Sequence, residues 1–284
     1  MRNRNVAQSM LPWALIIALL SSASGCGNQS QAGGQLKRGY DGRVPFSQFQ
    51  TCIALLKDPN PTVRADAADA IREMRIHGDA AVPAIAPLIA NFGDTDKKAR
   101  EWAAEAFGGI YTDAIFEPLV TAAKTKDNVV RAMSYYAIGN MPGDVKLAKA
   151  TELLKVLLAG LHDEDAEVRY QVAWGFETSA EAITTDAVPH IIEALKIEQP
   201  RFQFMLIRSL GHIGDRGVSA LPVLEKMRQH PNADVRSVSN ITIHRIHDYI
   251  AANSAAKGSS PEPPKSPTNQ PATEDGKPVP SKER

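Results

Sequence analysis

Six segments of the chain carry one pattern of apolar and polar positions. They align on Arg64, Arg100, Arg131, Arg169, Gln203 and Arg236, which stand about 31 to 38 residues apart. One residue before each anchor comes Val63, Ala99, Val130, Val168, Phe202 or Val235. Three after come Ala67, Ala103, Ser134, Val172, Leu206 and Ser239, and seven after come Ile71, Phe107, Ile138, Phe176, Leu210 and Ile243. Ten after stand Met74, Ile110, Met141, Ser179, Ile213 and Ile246. Steps of four, four and three trace one face of an α-helix. The repetition predicts six helices with a shared apolar or small face.

A second helix precedes each of these. Val44 and Pro45, Val82 and Pro83, Val188 and Pro189, and Leu221 and Pro222 put proline where a first turn tolerates it. Apolar stripes at helical spacing follow, as in "IAPLIANF", "ELLKVLLAGL" and "HIIEALKI". Polar turns such as "KDPNPTVR" and "HDEDAEVR" join the two helices, with acidic residues near the start of the second, where the helix dipole favours them. Each unit is therefore a helical hairpin that cannot bury its apolar face alone, so the hairpins stack. The prediction is an all-α chain, a right-handed α-solenoid of about six stacked hairpins spanning residues 44–253.

The phrases "DPNPTVRADAADAIREM", "DNVVRAMSYYAIGNM", "DEDAEVRYQVAWGF" and "RSLGHIGDRGVSALPVL" resemble the HEAT repeat family, in particular the short HEAT-like repeats of phycobilisome lyases. The resemblance implies that turn aspartates and anchor arginines form a ladder between neighbouring repeats. Asp58 and Arg64, Asp94 and Arg100, and Asp163 and Arg169 would fill those roles. Repeat three has a shorter turn, and repeat five carries Gln203 instead of arginine, so both depart from the pattern. The motif encodes packing, and implies little about activity.

The ends differ in kind. Arg2 and Arg4 precede a short apolar run from Leu11 to Leu20, which is an export signal pattern and is too short to span a bilayer. Ala23, Ser24, Gly25 and Cys26 resemble the lipobox of bacterial lipoproteins. That resemblance implies a leader at 1–25 and lipidation of Cys26. The alternative is ordinary cleavage after Ala23, which leaves Cys26 a free thiol. Gly27 resembles the residue that sends lipoproteins to an outer membrane, where the host has one. Residues 26–43 read as a Gly-, Gln- and Ser-rich tether. Residues 254–284 hold seven prolines and little to bury, and read as a disordered tail that either docks or solubilises.

Charge narrows the partners. Lys and Arg number 32, as do Asp and Glu, so no basic excess marks a nucleic-acid binder. The partner expected is a protein or peptide, with the membrane reached through the N-terminal lipid. Chemistry leaves no mark in the motifs. No GxSxG, P-loop or dinucleotide fingerprint occurs, and no His-Glu dipeptide of the kind used by HEAT-like iron hydroxylases. His244 and His247 read as exposed residues of a capping helix, and Cys52 in "FQTCIALL" as a small core residue. The expectation is a non-catalytic scaffold with no cofactor and no metal. An enzyme of lyase-like type and an envelope protein acting through its tail are the alternatives.

In this family the second helices line the concave surface. Their remaining positions place Tyr136, Tyr170, Trp174 and Phe204 together, with Glu177, Arg208 and His212 beside them, on a surface that turns from acidic to basic along the chain. Aromatic residues and arginine dominate binding hot spots. Glycines nearby would leave room for another backbone. The competing reading is that these rings only fill space between adjacent helices.

Overall fold

The computed structural model describes residues 36–39, 42–183 and 185–258. The leader at 1–25, Cys26, most of the tether and the tail beyond 258 lie outside the described residues. The tether's last part packs on the first repeat, since Leu36 is buried and the Lys37 N–H donates to Gln48 Oε1 at 2.9 Å. Ser254 to Gly258, read from sequence as tail, continue the last helix.

The described residues form an all-α solenoid of paired helices. The pairs are α1 (Phe49–Leu55) with α2 (Pro61–Met74), α3 (Val82–Ala90) with α4 (Lys97–Glu105), and α5 (Phe116–Ala122) with α6 (Asn128–Asn140). An extra short helix, α7 (Gly143–Ala148), follows, and it accounts for the longest interval between anchors. Then come α8 (Ala150–Gly160) with α9 (Ala166–Thr178), α10 (Ala187–Ala194) with α11 (Pro200–His212), and α12 (Leu221–Met227) with α13 (Ala233–Gly258).

The shared face is the core. Every residue three or seven after an anchor is buried, including Ser134 and Ser239, whose hydroxyls donate to the carbonyls of Val130 and Val235 four residues back. The polar turns act as N-caps. Asn60, Asp96, Asp127, Asp165 and Asn232 each accept backbone N–H bonds from the first turn of α2, α4, α6, α9 and α13. Cys52 is buried, and burial pushes its thiol up to about 11, so it packs as an inert small residue.

Two short strands were not foreseen. β1 (Ile76–His77) pairs in parallel with β2 (Ile110–Tyr111), Ile76 opposite Ile110. Arg75 adopts a left-handed conformation (φ 49°) and stops α2, so the chain leaves extended. The same exit in the next repeat runs alongside it, and stacked repeats point the same way. Gly109 permits this approach, because a Cβ there would overlap the Arg72 carbonyl.

Among the described residues, arginine–aspartate rungs cross two of the seams between repeats. Arg64 grips Asp94 of the next repeat through Nε (2.5 Å) and Nη2 (2.7 Å). Arg131 grips Asp163 in the same way, at 3.0 and 2.9 Å. The turn of repeat three is not shortened: Asp127 caps α6 four residues before Arg131, as Asn60 caps α2 before Arg64, and Thr125 fills the ladder position. Repeat five supplies Gln199, whose Oε1 accepts from Arg169 Nε at 3.2 Å. Within each repeat the arginine bonds backbone, as Arg64 Nη1 does with the Asp58 carbonyl at 2.7 Å. Asp58 itself accepts only locally, from the Asn60 N–H.

Two outcomes test the ladder. Arg131 and Asp163 are 10% and 15% exposed, so removing one strands the other. Asp163→Ala should cost about 3 kcal/mol in chemical denaturation. Burial works to raise the Asp94 pKa, but hydrogen bonds from Arg64 and the Asp96 N–H hold it below the ordinary value. The native state then binds fewer protons than the unfolded state below pH about 3.9. Stability should be fully present above that pH and fall as the pH drops through the lowered native value. Asp94→Asn should flatten this part of the melting-temperature profile.

Candidate functional site

The second helices α2, α4, α6, α9, α11 and α13 lie side by side, and positions one and five after each anchor meet at their seams. Tyr136, Tyr170, Trp174 and Phe204 are half-buried there. Trp174 packs on α6, and its ring stands 6.4 Å from that of Tyr136. Tyr136 donates its hydroxyl to Glu105 at 3.0 Å, and burial raises the pKa of that carboxyl. Arg201 lies over the Tyr170 ring at 4.2 Å, and Arg208 lies near the Phe204 ring at 5.8 Å.

Two depressions adjoin along this face. One of about 520 Å³ is bounded by Arg100, Asn128, Tyr136, Tyr170, Trp174 and Arg201. The other, of about 410 Å³, is bounded by Tyr170, Trp174, Arg201, Phe204 and Arg208. They share Tyr170, Trp174 and Arg201, so together they make one groove with an arginine–tyrosine stack across its middle. Five of the seven predicted contact residues line it. Arg100, Asn128 and Arg201 were not assigned to it. Arg201 precedes an anchor by two residues, and its place over Tyr170 depends on how α11 stacks on α9.

Glu177 and His212 sit one step further on, in a separate depression of about 340 Å³. Glu177 is buried, accepts from Arg208 at 2.7 Å and lies 3.6 Å from His212 Nδ1. Its carboxylate thus holds Arg208 and lies beside His212. Lys146, on the inserted α7, lines the same depression and escaped the sequence reading. Its Nζ donates to the carbonyls of Gly139 (2.6 Å) and Thr178 (2.9 Å), which ties the ends of α6 and α9 together. Burial pushes its pKa down to about 8. The longest anchor interval was the available signal for this insertion.

Two expectations need correction. The glycines do not clear a path for a partner. A Cβ at Gly139 would lie 2.6 Å from Trp174 Cδ1, and one at Gly211 would meet Thr242 at 3.1 Å, so both serve packing between repeats. Nor does the face run from acidic to basic, because Arg43, Arg72 and Arg75 stand with Glu73 and Glu105 at its early end.

The HEAT repeat family matches residues 85–156 and 154–243. The chain belongs to the HEAT repeat family. Solved structures similar to it include an engineered protein from a structural genomics consortium, at 20% identity and a TM-score of 0.49, covering 71% of this chain and 97% of that one. Another is a designed armadillo repeat protein in complex with the peptide (KR)4, at 17% identity and a TM-score of 0.49, covering 70% and 99%. No curated protein sequence matches significantly. Among the described residues of this HEAT repeat protein, no group of three or more His, Cys, Asp or Glu side chains is placed to hold a metal ion. No described helix is long and apolar enough to cross a membrane.

Gly139→Ala tests the seam. The added methyl should displace the Trp174 indole from α6. The expected result is a lower melting temperature and a red-shifted tryptophan emission.

Proposed function

We propose that this HEAT repeat protein is an exported, lipid-anchored scaffold that binds a protein or peptide partner in the bacterial cell envelope through its groove. The contiguous line of Tyr136, Tyr170, Trp174 and Phe204, with Arg201 and Arg208, carries the reading. Large rings half-open to solvent, already held by neighbouring helices, lose little side-chain freedom on binding.

The role is non-catalytic. The repeats are of the short phycobilisome-lyase type, used here as packing units. Lipid on Cys26 holds the chain at the membrane, the outer one where the host has it, and the tether gives the solenoid reach. The tail from 259 onward is a second contact point or a solubilising segment.

Full-length protein and a Tyr170→Ala, Trp174→Ala variant, both checked by circular dichroism, serve as baits in envelope extract. A partner retained by the first should be lost from the second. Equal retention by two folded baits would remove the groove from the proposal. Cys26→Ser should move the protein from the membrane to the soluble fraction. Unchanged fractionation would remove the lipid anchor.

A further inference from the structure

One anchor arginine, Arg100, has an outer edge that meets no side chain of the next repeat, and that gap opens into the groove. Five anchor arginines use Nη1 alike, each bonding the backbone carbonyls six and five residues earlier. Arg64 takes those of Asp58 and Pro59, Arg100 those of Asp94 and Thr95, and Arg131 those of Thr125 and Lys126. Arg169 and Arg236 do likewise in their own turns. This common grip leaves the Nε and Nη2 edge for the next repeat. Arg64 finds Asp94 there, Arg131 finds Asp163, and Arg169 finds Gln199.

Arg100 finds nothing. The residue that should answer it, six before Arg131, is Thr125, whose hydroxyl donates to the Asp127 carbonyl instead. Among the described residues, Arg100 forms no ion pair, and its side-chain hydrogen bonds are the two from Nη1. The seam between α4 and α6 is also the least extensively packed of the second-helix seams. Arg100 lines the larger half of the groove, with Tyr170 and Trp174 on its walls.

The groove's own carboxylates are engaged elsewhere. Glu101 faces Lys97 at 3.5 Å. Asp165 accepts from Asn128 Nδ2 at 2.6 Å and from the N–H groups of Glu167 and Val168. Glu167 accepts from Gln171 at 2.8 Å.

We propose that a partner supplies the missing rung. The occupant is an extended peptide segment with an Asp or Glu side chain. That carboxylate takes the Nε–Nη2 edge of Arg100, as Asp94 takes Arg64 and Asp163 takes Arg131. A neighbouring apolar or aromatic residue of the segment lies against Tyr170 and Trp174. Guanidinium and carboxylate match as a planar, two-bond pair. A phosphate fits less well, because its extra charge would face Glu101, Asp165 and Glu167 at once. This inference rests on the groove being a peptide site.

The molecule offers its own competitor. Thr125→Asp places a carboxylate at the ladder position and should occupy Arg100 from within. The probe is an array of decapeptides, blocked at both ends, each with central Asp or Glu paired with an Asn or Gln counterpart, flanked by Leu and Trp. Full-length wild-type protein should prefer the acidic members by about tenfold. Thr125→Asp should abolish that preference while raising the melting temperature. Thr125→Asn should keep the preference, and Arg100→Gln should lose it. Equal binding of acidic and neutral peptides by wild type would overturn the inference and leave the groove standing. An undiminished preference in Thr125→Asp would also overturn it. If wild type binds no peptide, the groove reading fails, and this inference fails with it.

Discussion

A hairpin of two short helices has more apolar surface than it can cover by itself. Isolated helices of this length are marginal in water, so stability comes from stacking. Everything else in the molecule follows from that dependence. The second helices must present the same face in the same rotation, and Ala67, Ala103, Val172 and Leu206 recur because the seam between repeats must close. The arginine at each turn holds the rotation. Its Nη1 fixes it to its own turn, and in Arg64, Arg131 and Arg169 the outer edge reaches the next repeat.

The groove is a by-product of the same geometry. Helices that close tightly on the core side leave seams on the other. In repeats one and three the residue after the anchor is Ala65 or Ala132, and it disappears into the seam. In repeats four and five it is Tyr170 or Phe204, too large to disappear, so the ring stands half out. Trp174 is held against Gly139, where no other residue leaves room for it. Packing and exposure are therefore two aspects of one side chain, and a partner would meet rings already fixed in place.

The departures from regularity are concentrated where the surface becomes distinctive. In repeat three Thr125 stands where the aspartate that would answer Arg100 belongs. The inserted α7 brings a buried lysine under the ends of α6 and α9, and the loss of the turn aspartate in repeat five recruits Gln199. Gln199 is a substitute for the lost aspartate, whereas among the described residues nothing replaces it at Arg100. In a repeat protein the regular positions carry stability, and the irregular ones are available for recognition.

The sequence by itself determined the helices, their pairing and their buried faces. These depend on periodicity, on proline and on capping residues, all of which act within a few positions of the chain. It also determined that Tyr136, Tyr170, Trp174 and Phe204 share one side. The tertiary structure decided the rest. Whether a turn aspartate answers its own arginine or the preceding one depends on how repeats stack, and Asp94 with Arg64 shows the second. That β1 meets β2, that Glu177 is buried under Arg208, and that Gly139 faces Trp174 are contacts between residues about 30 to 40 positions apart. Their geometry depends on the rise and rotation from one hairpin to the next. No local pattern encodes that step, because it is the sum of all the packing at a seam.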